Sequence, residues 1–376
     1  MERGFSGFNA HVDRLARLVV DYCLGLREGD EVLVSFSLEA VDLARAIAFR
    51  AIDRGAYPHL RLTLEDVNEY FHRFAPRSVL ERVSPIEEYT MERVDALVSI
   101  IGPRHSKPLA GVDPERLALR TSASRRLTEI FMRRDGEGSL RWTVTAYPTP
   151  SMAQEAGMTP LEMEYFVYRA LKLHEEDPVE AWRRQAESQE AVRRILSRAS
   201  ELRVVGENTD ITFRVEGRTW INDDGRKNMP GGEVFSAPHE DGVDGEIYFE
   251  FPLVWRGVEL RGVRLRFRRG EVVEASAEVG GEVLQRLLKV DDGARRLGEL
   301  AFGLNYDIQR HTKIVLFDEK IGGTMHMALG AAYPATGGTN KSSIHVDIVK
   351  DLRRNAKVYA DGDLIFEDGR FLVETA

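Results

Sequence analysis

The sequence predicts an α/β protein in two parts. The first is an N-terminal domain with a parallel sheet flanked by helices; the second is a mixed α+β domain rich in antiparallel strands. Three observations lead there. Short apolar runs alternate with helical periods as far as Tyr147, the order expected of a parallel sheet with crossover helices. After Leu202, strand-like segments follow one another with only turns between them, which is the antiparallel habit. Finally, 376 residues exceed what a single core usually holds, so two domains are expected.

The elements follow in order. Residues 10–26 place Val12, Leu15, Val19, Tyr22, Cys23 and Leu26 at a helical period. Glu31–Phe36 is a short apolar strand, 39–54 a helix stopped by Gly55, and His59–Thr63 an alternating strand. Ala96–Ile101 is a further buried strand ended by Gly102-Pro103, Pro114–Arg133 a helix, and Arg141–Tyr147 a strand. None of these strands is followed by G-x-G-x-x-G or G-x-x-x-x-G-K-[ST], so this half carries no nucleotide fingerprint. Helices are expected over Pro160–His174 and Val179–Ala199, and the domain junction falls along the second, giving domains 1–190 and 191–376. Beyond it, 202–205, 210–215, 245–251, 254–260 and 262–268 read as strands, and 281–288 and 293–302 as helices. A strand is also expected over Thr312–Phe317, with His311 exposed before it.

Composition narrows the function classes. Lys plus Arg total 52 and Asp plus Glu total 61, a net charge of −9; a nucleic-acid surface would be basic. The single cysteine, Cys23, rules out an intrachain disulfide or a cysteine-rich zinc site and fits a reducing, cytoplasmic compartment. The first residues, Met1 to Gly7, lack a basic start followed by an apolar run, so no signal peptide is expected. No stretch is long and apolar enough for a membrane span.

The chemistry gathers between Asp318 and Asp347. Glu319, His326, Tyr333, His345 and Asp347 lie there, separated by glycine turns. Carboxylates mixed with imidazoles suit a zinc-like divalent ion, and few ligands per ion suit catalysis. Ser343–Val349 alternates as a strand, so His345 and Asp347 share one face about 7 Å apart along the chain. Ile344, Val346 and Ile348 take the other face. Two further carboxylates are weaker signals. Glu233 sits in the glycine-flanked turn Pro230–His239, where a solvated hairpin glutamate is the ordinary alternative. Glu299 follows Arg295 by four residues, where a surface ion pair on the expected helix is the ordinary alternative. His239 fits a ligand, a substrate contact or a turn histidine. His11, His59, His72, His105 and His174 have no metal-pair spacing and read as structural or solvated.

Taken together, Gly231–His239, Gly293–Glu299, Phe317–His326, Ala328–Tyr333 and Ile344–Asp347 resemble the family of metal-dependent aminopeptidases typified by aminopeptidases T and S. Leu26–Val34 and Ala146–Met158 are similar as well, so the resemblance covers most of the chain. It implies a two-metal centre in the C-terminal domain held by Glu233, Glu299, Glu319, His326, His345 and Asp347, with Tyr333 nearby. It also implies a homodimer and an N-terminal domain that helps enclose the site. The Glu319-to-His326 spacing is longer than in some members, with extra residues around Gly322-Gly323-Thr324. The activity so implied is removal of the N-terminal residue from a peptide with a free N-terminus, by a water activated between two divalent ions. Zinc or cobalt is the expected metal, with manganese or magnesium admitted by the oxygen-rich ligand set. Glu233 or Glu299 would be the general base, and Tyr333 would donate to the oxyanion. Two alternatives stand beside this reading. One is a two-metal hydrolase of another amide or a phosphoester, with Lys341 beside Gly337-Gly338 as the only phosphate hint. The other is a non-enzymatic, metal-stabilised assembly protein.

Overall fold

A computed structural model describes residues 9–372; the stretch read for a leader, residues 1–7, lies outside them. The chain divides into two compact units, one ending at Ala181 and including Arg226–Met229, the other comprising Trp182–Gly225 and Pro230 onward.

The first unit is built on parallel strands in the order Tyr57–Thr63, Glu31–Ser37, Ala96–Ile101, Arg141–Ala146, with the short Asn228–Met229 added beyond the last. The central strands are nearly continuous apolar runs because helices cover the sheet: Val32, Val34, Ala96 and Val98 are fully buried. The helical period at the N-terminus forms Ala10–Arg17, continued as a wider turn through Cys23, and Val41–Asp53 packs beside it. Helices Glu65–Phe74, Arg77–Leu80 and Pro85–Arg93 are additional to the sequence reading. The first carries an apolar stripe at helical period, Val67, Tyr70, Phe71 and Phe74, yet among the residues of all three only Leu80 is buried.

The second unit stacks two antiparallel sheets on one core. The larger has eight strands, running in space from Glu271–Ser276 at one edge to Arg370–Phe371 at the other. The smaller has five, in the order His345–Asp351, Thr324–Gly330, Leu297–Gly303, Glu233–Ser236, Ile221–Asp223. Phe213, Ile247, Phe249 and Leu265 from the first sheet meet Val234, Leu300, Phe302, Met325, Met327 and Ile348 from the second, with Leu196 and Leu284 closing the core. Among the described residues no helix is long and apolar enough to cross a membrane.

Three expectations are corrected. Residues 293–302 are not a helix. A single helical turn, Asp292–Arg295, gives way to the buried strand Leu297–Gly303 at the centre of the five-stranded sheet. Leu297, Leu300 and Ala301 have helical spacing in sequence, but the strand makes the same pattern with a bulge. Leu297 pairs with Leu329 and Glu299 with Ala328, so Gly298 is the extra residue. The bulge lets Leu297 enter the core while Glu299, two positions later, faces the other way. Thr312–Phe317 is not a strand: Val315–Asp318 is one helical turn, and His311 is not exposed but stacks on Phe251 with Nε2 3.2 Å from Asp318 Oδ2. Finally, 254–260 is a hairpin of two short strands, because Arg256 and Gly257 both take positive φ.

Gly298 is required by close approach: a Cβ there would lie 2.0 Å from the Ala331 carbonyl oxygen. Gly298→Ala is therefore expected to lower the unfolding free energy by about 1–3 kcal/mol or more and to displace Glu299. Denaturant titration together with metal binding checks this; parent-like values for both would show that the bulge is dispensable.

Candidate metal centre

The five-stranded sheet separates its two faces by chemistry. One face supplies the core just described. The pairing register assigns the other face: Asp223 lies opposite Glu233, Glu233 opposite Gly303, Phe235 opposite Ala301, and Ala301 opposite His326. Glu299 and Asp347 flank Ala328 from either side, and His345 lies opposite Gly330. Ala301, Gly303, Ala328 and Gly330 thus sit among the polar side chains as small spacers, leaving room above the sheet. Glu319 arrives from outside the sheet, directly after the Val315–Asp318 turn. The segment from Glu319 to His326 makes a tight turn. Gly322 lies against Tyr306, where a Cβ would come within 2.5 Å of the ring, and Gly323 takes φ +86°.

All six ligands expected from the sequence converge. Three groups of donor atoms, each within 4.8 Å of one another, are Glu233/Glu299/His326, Glu299/His345/Asp347 and Glu319/His326/Asp347. Glu299, His326 and Asp347 each belong to two groups. Among the described residues, every such group comes from the second unit, and the histidines of the first unit form none. His239 is held elsewhere, with Nε2 2.9 Å from the Glu216 carbonyl oxygen, as a turn histidine. Lys341 is exposed.

The residues present fit metal ions. Glu233 Oε2, His326 Nδ1 and Asp347 Oδ1 are buried atoms with no hydrogen-bond partner among the described residues, a state that costs free energy unless something else is bound. Side-chain exposure rises from 0% at His326 and 5% at Glu233 to 16% at Glu319 and 26% at His345, so the cluster opens toward His345. Tyr333 stands at that opening, its ring 5.3 Å from His345 and 5.8 Å from Phe235. Burial and then the surrounding carboxylates, Glu299 first, push its hydroxyl upward, so it remains a donor. A connection from Ala331 to Ile344 carries Tyr333 and is fastened at several points. Asn340 Nδ2 donates to the carbonyls of Gly330, Gly293 and Arg296, Ala331 N donates to Ile344 O, and Glu240 accepts from Thr339 N and Oγ1.

Two contributors carried no readable sequence signal. Lys320 is fully buried, with Nζ 2.7 Å from Glu233 Oε1, 2.9 Å from Glu319 Oε2 and 3.5 Å from Asp223 Oδ2. Gln189 Nε2 donates to the backbone carbonyls of Asp223 and Glu233, tying two edge positions of the sheet together. Both depend on packing that brings distant segments together.

The electrostatics are those of crowded, desolvated carboxylates. Burial pushes Glu299 upward, against its hydrogen bond with His326, and pushes Glu319 up to about 8 despite Lys320. Asp347 goes the other way: burial would raise it, but the His345 imidazolium, its Nε2 3.4 Å from Oδ1, holds it well below the usual range. Burial opposes charge on both imidazoles and is outweighed by the carboxylates, which lift His326 to about 9, chiefly through Glu233 and Glu299, and His345 to about 10, chiefly through Asp347.

Both imidazoles are therefore protonated at neutral pH in the metal-free protein and must lose a proton to act as ligands. The Glu319 carboxyl, at about 8, is likewise protonated, so metal uptake at pH 7 is expected to release about three protons per chain, and apparent affinity is expected to fall as pH is lowered. Calorimetry in buffers of different ionisation enthalpy reads the proton count; release of none would refute the ligand roles of the histidines. Because both values lie above the unfolded histidine value of about 6.5, the pairs stabilise the metal-free protein fully below that pH. This contribution fades as pH rises through the folded values.

Comparison with known proteins identifies the family. Residues 8–371 match the family model described as thermophilic metalloprotease (M29). Aminopeptidase T from Thermus aquaticus is 30% identical, over 90% of this chain and 92% of its own length. Aminopeptidase 2 from Geobacillus stearothermophilus is 29% identical, over 97% of this chain and 98% of its own. Among solved structures, wild-type AmpT from Thermus thermophilus superimposes with a TM-score of 0.84 at 28% identity, covering 96% of this chain and 99% of that one. The chain therefore belongs to the thermophilic metalloprotease family M29.

Proposed function

We propose that this chain is a metal-dependent aminopeptidase that uses two divalent ions to hydrolyse the first peptide bond of a substrate with a free N-terminus. The observation that carries this reading is the sharing of Glu299, His326 and Asp347 among three ligand groups. Two neighbouring ions with ligands in common need such sharing, whereas a single closed structural site does not. The family and the names of the relatives support the reaction class. Bound there, the ions would supply an activated water and polarisation of the scissile carbonyl.

The protein's own groups divide the remaining work. Glu233 and Glu319 each give one oxygen to Lys320, which leaves each with a single oxygen for an ion. Glu299 contacts no lysine among the described residues; its neighbours are imidazoles, His326 Nε2 2.9 Å from Oε1 and His345 Nε2 3.9 Å from Oε2, which are neutral once they bind an ion. We place the general-base role on Glu299 for that reason. Tyr333, at the open end of the cluster, is positioned to donate to the oxyanion. A carboxylate of the cluster would hold the substrate's α-ammonium, restricting cleavage to the N-terminal residue. The mixed nitrogen and oxygen donors favour zinc or cobalt, with manganese or magnesium also accommodated. A homodimer in the cytoplasm completes the reading; buried Cys23 as the one cysteine suits that compartment.

Chelated protein titrated with zinc, cobalt or manganese against aminoacyl chromogenic amides is expected to regain cleavage, and N-acetylation of the substrate is expected to abolish it. Equal cleavage of the acetylated amide would refute the aminopeptidase reading. Alanine at Glu299, His326 or His345 is expected to lower kcat/KM by at least about a thousandfold while leaving the first unit folded; full activity in any of the three, with metal added, would remove that residue from the centre.

A further inference from the structure

We propose that Lys320 is a resident cation of the metal centre. It takes up one oxygen of Glu233 and one of Glu319, leaves the others for ions, and holds down the centre's affinity for those ions. The inference rests on the ligand set proposed above. Its basis is positional. The ammonium is buried, 2.7 Å from Glu233 Oε1 and 2.9 Å from Glu319 Oε2, with Asp223 Oδ2 at 3.5 Å. All three are carboxylates, and Glu233 and Glu319 belong to different ligand groups. The oxygen that Lys320 leaves on Glu233, Oε2, is the buried one without a hydrogen-bond partner, 3.4 Å from His326 Nε2. Each of the two carboxylates is thereby turned, before any ion arrives, so that its second oxygen is the one on offer.

Charge gives the arrangement a second consequence. Four candidate ligand carboxylates and Asp223 are buried or nearly so, and Lys320 contacts three of the five, Glu233, Glu319 and Asp223. Its positive charge repels incoming divalent ions, and the negative charge of Asp223, across the ammonium from the ligands, attracts them. Changes at the two residues should therefore move affinity in opposite directions. If both residues only filled space or braced the fold, either change would loosen the site and both would weaken binding.

The test compares the parent, Lys320→Met and Asp223→Asn by competitive zinc titration, and by thermal melting of the chelated proteins. Lys320→Met is expected to melt lower than the parent without metal, because the carboxylates then face one another, and to bind zinc about tenfold more tightly. Asp223→Asn is expected to bind zinc about tenfold more weakly. Weaker binding in Lys320→Met, or parent-like affinity in both variants, overturns the proposal. If Lys320→Met does not fold, Asp223→Asn decides alone: unchanged or tighter binding overturns the proposal. If the parent binds no zinc, the ligand set itself has failed; the anchoring role is then judged by metal-free melting, and equal melting of parent and Lys320→Met refutes it.

Discussion

Crowding of negative charge beneath a surface is the constraint on which the second unit depends. Glu233, Glu299, Glu319 and Asp347 lie within reach of one another and are nearly withdrawn from water. Carboxylates so placed repel, and each is costly to desolvate. The fold meets this with a rigid support. The five-stranded sheet gives one face wholly to the core, and that face is anchored by Phe302, Met325, Met327 and Ile348. Packing on one side thereby fixes the geometry of repelling groups on the other. His326, His345 and Lys320 then supply positive charge within the cluster itself.

Register is the means by which this works. In an antiparallel sheet, a slip of one residue exchanges the two faces. Here such a slip would drive Glu299 or His326 into the core and turn Leu300 or Met327 toward the ligands. The chemical difference between the faces therefore specifies the pairing strongly. The bulge at Gly298 is the one place where alternation is broken, and it lets a core residue and a ligand stand two positions apart on one strand.

Much of this was legible in the sequence because its signals were local. The α/β order of the first unit is carried by apolar runs such as Val32–Val34 and Ala96–Val98, and by Gly55 after its helix. His345 and Asp347 share a face by strand periodicity alone. Glu233 and Glu299 were weak on local grounds and gained weight only through family resemblance. The strand bearing Glu299 was misread as a helix, because Leu297, Leu300 and Ala301 have the same spacing on a bulged strand as on a helix. Lys320 stood in plain view beside Glu319, but burial of a lysine is decided by distant segments, here those bearing Asp223 and Glu233. Of the three short helices between Glu65 and Arg93, the first is marked by Val67, Tyr70, Phe71 and Phe74 at helical period, whereas Arg77–Leu80 is a single turn and Pro85–Arg93 has no apolar stripe.

The connection from Ala331 to Ile344 separates what the protein must keep from what it can change. Its ends are clamped by strand pairing and by the Asn340 amide, while Tyr333 and its neighbours project beside the open end of the cluster. The candidate ligands are carried by strands or turns outside this segment, but its Ala331 carbonyl, 2.8 Å from His345 Nδ1, fixes that imidazole, so side chains beyond Ala331 can vary more freely than the Ala331 backbone. The shape of the open end and the geometry of the cluster are thus set by different parts of the chain, a modularity that follows from where the fasteners lie.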